Sequence, residues 1–196
     1  MNLGLKERAA IVGGSSRGMG KATALALARE GAYVTICART EGDLRSTAME
    51  IARITSQSHV LAISRDLSQY EDIRRVVRDT LNRFDRIDIL VNNVGGTRGG
   101  RDFDSVTDQD WWDTIELNLM SAVRLTRLVV PAMKNGNWGR IVNVASIWGR
   151  EYGGGPTYMT AKAALIAFSK HMAITLAPFG VLVNTCLLYT SDAADE

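Results

Sequence analysis

Tyr158 and Lys162 stand four residues apart in Tyr158-Met159-Thr160-Ala161-Lys162, a spacing that on a helix puts both side chains on one face. A free phenol titrates near ~10 and is a weak base at neutral pH. A lysine ammonium about 4 Å away, at an effective dielectric of ~20, favours the phenolate by at most about 4 kcal/mol, and desolvation works against it. Such a pair can move a proton near neutral pH, which is general acid–base chemistry. The pattern arises by chance on many helices, so its weight comes from its setting. Ser146 closes Asn143-Val144-Ala145-Ser146, just past an apolar strand, and Asn118 sits in Glu116-Leu117-Asn118-Leu119 of the preceding helix. Read singly, the first is a turn residue and the second a satisfied core amide; only the set carries meaning.

A second group could bind phosphate. Gly13-Gly14-Ser15-Ser16-Arg17-Gly18-Met19-Gly20 follows the first apolar strand and opens a helix. Glycines there permit a tight turn and close backbone approach, and a helix N-terminus presents N–H groups and partial positive charge to an anion. The second strand ends Ile36-Cys37-Ala38-Arg39-Thr40. An acidic residue at that place would accept hydrogen bonds from ribose hydroxyls. Arg39 stands there instead and offers a planar fork to a phosphate, with Arg17 able to flank it. Asp66-Leu67 follows the third strand, where an Asp read alone caps the next helix. Asn92-Asn93-Val94-Gly95 follows the fourth; its asparagines can satisfy strand-end groups, and Gly95 allows close approach.

The elements that must position these residues alternate along the whole chain. Apolar runs at 9–12, 33–37, 60–63, 87–91, 140–144 and 181–183 predict strands, and helical spacing predicts helices at 21–30, 43–55, 68–84, 108–133 and 156–176. Near-continuous apolar strands imply burial on both faces. The pattern predicts an α/β fold, a doubly wound parallel sheet of Rossmann type, with ligands beyond the C-terminal ends of the strands.

Gly14, Gly18 and Gly20, then Asn92-Asn93-Val94-Gly95, then Asn118, Ser146, Tyr158 and Lys162, in that order, resemble the short-chain dehydrogenase/reductase family, including its 3-oxoacyl-carrier-protein-reductase-like members. The likeness covers essentially 5–185. Two positions depart from the family pattern: Gly13 stands where Thr is usual and Val94 where Ala is usual. The resemblance implies an oxidoreductase moving a hydride between NADP(H) and a small-molecule carbonyl or alcohol. NADP is implied by Arg39 and Arg17, and NAD less so. By the same resemblance Tyr158 is the acid–base group, Lys162 assists it and binds the nicotinamide ribose, Ser146 holds the substrate oxygen, and Asn118 holds a water linking Lys162 to solvent. The cofactor contacts implied are Gly14, Ser16, Arg17, Gly18, Met19, Gly20, Arg39, Asp66, Leu67, Asn93 and Gly95, together with Tyr158 and Lys162. Residues 96–101 and 148–155 are expected to line the substrate pocket, and 108–133 with 156–176 to pair subunits in a homo-oligomer.

Composition sets limits. With 196 residues, 46% apolar and 22% charged, the chain fits one globular domain. No run approaches the ~18 apolar residues of a membrane helix, and the N-terminus lacks a secretory core, so a cytoplasmic protein is expected. Two cysteines and two histidines form no ligand-spaced cluster, so no metal is expected. The net charge of +2 is spread along the chain and gives no nucleic-acid patch.

Residues 186–196, Cys-Leu-Leu-Tyr-Thr-Ser-Asp-Ala-Ala-Asp-Glu, resemble a translated sequencing-library adapter. The family has a Pro-Gly turn, a covering loop, a helix and a last strand after this point. The expectation is a C-terminally truncated domain at 1–185 with a non-native tail at 186–196. The alternatives are a non-catalytic dinucleotide-binding protein and an inactive truncated fragment.

Overall fold

The computed structural model describes residues 3–188. Six strands form one sheet: β1 (Ala9–Gly13), β2 (Tyr33–Ala38), β3 (Val60–Ser64), β4 (Ile89–Asn92), β5 (Gly139–Ser146) and β6 (Val181–Leu188). All neighbours are parallel, in the order β3-β2-β1-β4-β5-β6. The chain winds outward from β1 to β3, then crosses to β4 on the other side of β1. That reversal opens a crevice beyond the C-terminal ends of β1 and β4, the place where doubly wound sheets bind ligands.

The strands are apolar on both faces because helices cover both. On one face Ala10, Val12, Val34 and Ile36 pack against Ala24 and Ala28 of α1 (Gly18–Arg29) and Leu44 and Ile51 of α2 (Glu41–Ile54). On the other, Ile11, Leu90 and Ile141 meet Ile73 and Val77 of α3 (Tyr70–Phe84). The helical stretch expected at 108–133 is divided into α4 (Asp108–Ile115), a π-helical turn (Glu116–Met120) and α5 (Ser121–Asn135). Leu125, Val129 and Met133 of α5 join the second core. The last helix, α6 (Pro156–Leu176), adds Leu165 beside Ala122 and Ala145. Each fully buried Leu or Ile contributes roughly 1.5–3 kcal/mol.

Three expectations are refined. Asp66 does not cap α3: that helix begins at Tyr70 with Gln69 before it, and Asp66 Oδ1 instead accepts from Ser68 N and Ser68 Oγ, both at 2.9 Å. The short carboxylate closes a turn on its own loop, as Asp side chains do two residues ahead of themselves. The π-turn breaks the long helix because Ser121 N–H reaches Glu116 O, one residue further back than in an α-helix, while Ser121 Oγ donates to Leu117 O at 2.6 Å. Lastly, β6 runs past 183, and Val144 pairs with Cys186 and Ser146 with Leu188. Residues 186–188 of the segment read as non-native therefore lie in the sheet, while 189–196, like Met1 and Asn2, fall outside the described residues.

Candidate active site

The glycine loop fits a pyrophosphate. Gly14 and Gly18 have φ of +63° and +53°, the left-handed region that glycine occupies without steric cost. A Cβ on Gly20 would stand 2.2 Å from Gly14 O, so only glycine lets α1 start against the turn. The start of α1 has no side-chain cap and no acidic residue in its first turn, whereas α2, α3 and α4 each carry two acids there. Uncapped N–H groups with no acid in their own first turn suit an anionic ligand.

The loop is tied down from both sides. Ser15, fully buried, donates from Oγ to Val12 O at 2.8 Å and accepts Cys37 N–H at 2.9 Å. Asn93 Nδ2 lies 3.2 Å from both Gly13 O and Gly14 O, so the strand-end role expected of the asparagines is fulfilled by spanning β4 to the loop. Ser16 O accepts Thr47 Oγ1 at 3.1 Å. Ser15 and Thr47 are residues that sequence reasoning missed. Ser15 lies inside the glycine motif and could have been found there; Thr47 leaves no signal on α2. A Cβ on Gly13 would lie 3.1 Å from Leu67 Cδ1 and 3.1 Å from Val94 Cγ2, so Val94, together with Leu67, fills the space a side chain at 13 would take.

Arg17, Gly18 and Met19 are exposed along the mouth of this crevice. Arg39 is exposed too and lines, with Asp66 and Leu117, a cavity of about 480 Å³. Leu67 is buried. The cofactor-side residues expected from the sequence thus form one continuous band along the ends of β1, β2, β3 and β4.

The residues expected to carry acid–base chemistry gather at the ends of β4 and β5. Lys162 is 3% exposed, and its Nζ donates to Val144 O at 2.9 Å. Burial pushes its ammonium down from 10.5 to about 8. The same Nζ lies 5.5 Å from the centre of the Tyr158 ring, so the expected shared helix face is realised. A Cβ on Gly95 would come within 3.0 Å of Lys162 Nζ and 2.9 Å of Asn118 Oδ1, which brings β4 and the π-turn up to the lysine. Asn118, 1% exposed, accepts Gly96 N–H at 3.1 Å and donates to Gly96 O at 2.6 Å and Thr114 O at 2.9 Å.

Ser146 Oγ accepts Trp148 N–H at 3.2 Å. The Trp148 ring then stands edge-on to Tyr158, with centroids 6.2 Å apart and planes at 81°. Gly153 and Gly154 are packed onto that indole so closely that a Cβ on either would sit 2.2 Å or 2.9 Å from it. Thr157 Oγ1, in the first turn of α6, donates to Arg98 O at 3.2 Å and ties the 96–101 loop to the start of that helix. Under the site, Asn92 Nδ2 donates to Asn143 Oδ1 and Asn143 Nδ2 to Ser169 Oγ, each at 2.7 Å. This buried polar chain fixes β4, β5 and α6 relative to one another. No helix among the described residues is long and apolar enough to cross a membrane, and no group of three or more His, Cys, Asp or Glu among them could hold a metal.

Comparison with known proteins agrees with this geometry. The profile of the family described as short chain dehydrogenase matches residues 8–194. A 3-oxoacyl-[acyl-carrier-protein] reductase from Synechocystis sp. is 35% identical over 181 residues, covering 92% of this chain and 72% of that protein. The structure of L-sorbose reductase from Gluconobacter frateurii, complexed with NADPH and L-sorbose, is 33% identical with a TM-score of 0.88, covering 94% of this chain and 70% of that one. An NAD+-bound xylitol dehydrogenase is 26% identical with a TM-score of 0.86, covering 92% and 69%. With a family match over nearly its whole length, this chain belongs to the short-chain dehydrogenase/reductase family of hydride-transferring oxidoreductases.

Proposed function

We propose that the chain is an NADP(H)-dependent carbonyl reductase, or alcohol dehydrogenase in the reverse direction, with Tyr158 as its acid–base group. The observation that carries this reading is the meeting of Lys162 Nζ with the Tyr158 ring and Gly95 at the strand ends, beside an uncapped glycine turn. Backbone groups from Gly14 to Gly20, Ser16 and Met19 included, would cradle the pyrophosphate, with Asn93 holding that turn. Asp66 and Leu67 would meet the adenine and Gly95 the nicotinamide end. Arg39 and Arg17 would hold a 2′-phosphate, which an acid in place of Arg39 would repel.

NADPH, when bound, supplies the hydride. Tyr158 gives its phenolic proton to the substrate oxygen during reduction and takes it back during oxidation. Ser146 Oγ already accepts the Trp148 N–H, so its own proton is available to the same oxygen. The Lys162 ammonium spends one N–H on Val144 O, leaving two donors for a ribose hydroxyl. With its proton held up to about pH 8, its charge favours the phenolate at neutral pH. Asn118 uses both amide protons on Gly96 and Thr114. Its side chain therefore shapes the wall beside Lys162, and a water there would meet carbonyl oxygen rather than amide N–H.

The groove between α5 and α6, lined by Val130, Phe168, Met172 and Leu176 and about 600 Å³ in volume, supports the expected homo-oligomer. The testing experiment is absorbance-monitored NADPH oxidation with a panel of small ketones and aldehydes. Tyr158→Phe should abolish turnover and leave NADPH affinity within about twofold, since a lone hydroxyl near the cofactor contributes little to its binding. Wild-type turnover in that variant would overturn the mechanism.

A further inference from the structure

One side chain outside the residues assigned above touches both the adenine-side loop and the turn that carries Asn118. Arg124, in α5, grips Glu116 with two prongs: Nη1 lies 2.5 Å from Oε2 and Nη2 3.1 Å from Oε1. Nη1 also donates to Ser68 O at 3.2 Å. Ser68 is the residue whose N–H and hydroxyl both hold Asp66 Oδ1. The contacts therefore run from Glu116 through Arg124 and Ser68 to Asp66, and Glu116 opens the π-turn. All four residues line the same cavity of about 480 Å³. The Tyr70 ring stands 6.0 Å from the guanidinium.

A planar guanidinium can serve a carboxylate and a carbonyl at once in fixed geometry, which a lysine cannot. The pair is sheltered, with the Arg124 side chain 20% exposed and Glu116 40%, so it is screened less than a fully exposed pair.

We propose that Arg124 is a positioning residue for the dinucleotide. Clamped by Glu116, it holds the Ser68 carbonyl, and through Ser68 the Asp66 carboxylate, at the adenine end of the cavity. The same clamp ties that end to the turn bearing Asn118. The proposal rests on the dinucleotide reading given above. It assigns Arg124 to recognition of the adenine half, with no part in proton transfer.

Two measurements on the full chain test it. The first is hydrogen exchange of the ligand-free protein, comparing wild type with Arg124→Gln, which keeps a polar side chain without the charge or the fork. Amides of residues 66–70 should exchange about tenfold faster, while those of β1 and β5 stay as in wild type. The second is calorimetric affinity for NADPH and for its adenine half, 2′,5′-ADP. Both dissociation constants should rise together by about tenfold in Arg124→Gln and in Glu116→Gln, and Arg124→Lys should recover part of the loss.

Unchanged exchange at 66–70, wild-type affinity of Arg124→Gln for 2′,5′-ADP, or loss of protection spread through the whole sheet would each overturn the positioning role. If the wild-type chain binds neither NADPH nor 2′,5′-ADP, the dinucleotide reading itself fails and the role falls with it. That result is distinct, because it appears before any substitution is made.

Discussion

Lys162 converts burial into a pH-dependent stability. Its ammonium is pushed by burial from 10.5 in the open chain to about 8 in the fold. Below about pH 8 the lysine is charged in both states, and the folded state carries the whole desolvation cost. At ~1.4 kcal/mol per pH unit, that cost is about 3 kcal/mol. Between about 8 and 10.5 the unfolded chain holds more protons than the folded one, so this residue makes stability rise with pH. Above 10.5 the cost has gone. Lys162→Met removes the titration and keeps an unbranched apolar stem. It also strips Val144 O of its donor, a loss of about 1–3 kcal/mol that does not depend on pH. Urea unfolding should therefore be followed from roughly pH 7 upward for Tyr158→Phe and for Tyr158→Phe/Lys162→Met, so that the neighbouring phenol is absent from both. The stability difference should move by about 2–3 kcal/mol in favour of the lysine-bearing protein as the pH reaches 10.5. A difference that stays flat would refute the account of a charged lysine held at a desolvation cost.

Other perturbations reach other parts of the site. Arg39→Asp should swing the ratio of NADP to NAD affinity by about tenfold or more towards NAD; equal relative affinities before and after would remove Arg39 from cofactor choice. Gly20→Ala places a methyl 2.2 Å from Gly14 O and 2.7 Å from Asn93 Nδ2. It should cost about 1–3 kcal/mol in urea unfolding and weaken dinucleotide binding, with wild-type values for both counting against the cradle. Gly153→Ala drives a methyl into the Trp148 indole. It should alter the near-ultraviolet dichroism and change KM across a ketone panel, and an unchanged panel would place Trp148 outside the substrate pocket.

Much of this arrangement was legible in the chain because doubly wound folds put function where motifs are local. The glycine turn, the Asn92-Asn93 pair and the Tyr158–Lys162 spacing each lie within a few residues of a strand end or on one helix, and each is found there. What escaped was set by hydrogen bonds, local and long-range, that apolar spacing does not encode. The π-turn at Glu116–Met120 keeps the apolar spacing of a continuous helix, and only hydrogen bonds mark the break, Ser121 N–H on Glu116 O and the Ser121 hydroxyl on Leu117 O. Asp66 looks like a helix cap by position, yet Ser68 captures its carboxylate first. Nothing along the chain announces that Arg124 and Ser68, 56 residues apart, share a hydrogen bond.

The glycine at 13 and the valine at 94 first looked like two separate departures from the family pattern. In space they share one volume, with Val94 Cγ2, beside Leu67 Cδ1, at 3.1 Å from the place a Cβ on Gly13 would take. The two positions are therefore coupled. A lineage passing between the two packings can cross through the small–small intermediate, which leaves a modest void, far more easily than through the large–large one, which collides. Restoring the commoner residue at 13 alone should be tolerated worse than restoring both, an epistatic dependence that position-by-position consensus design would not see.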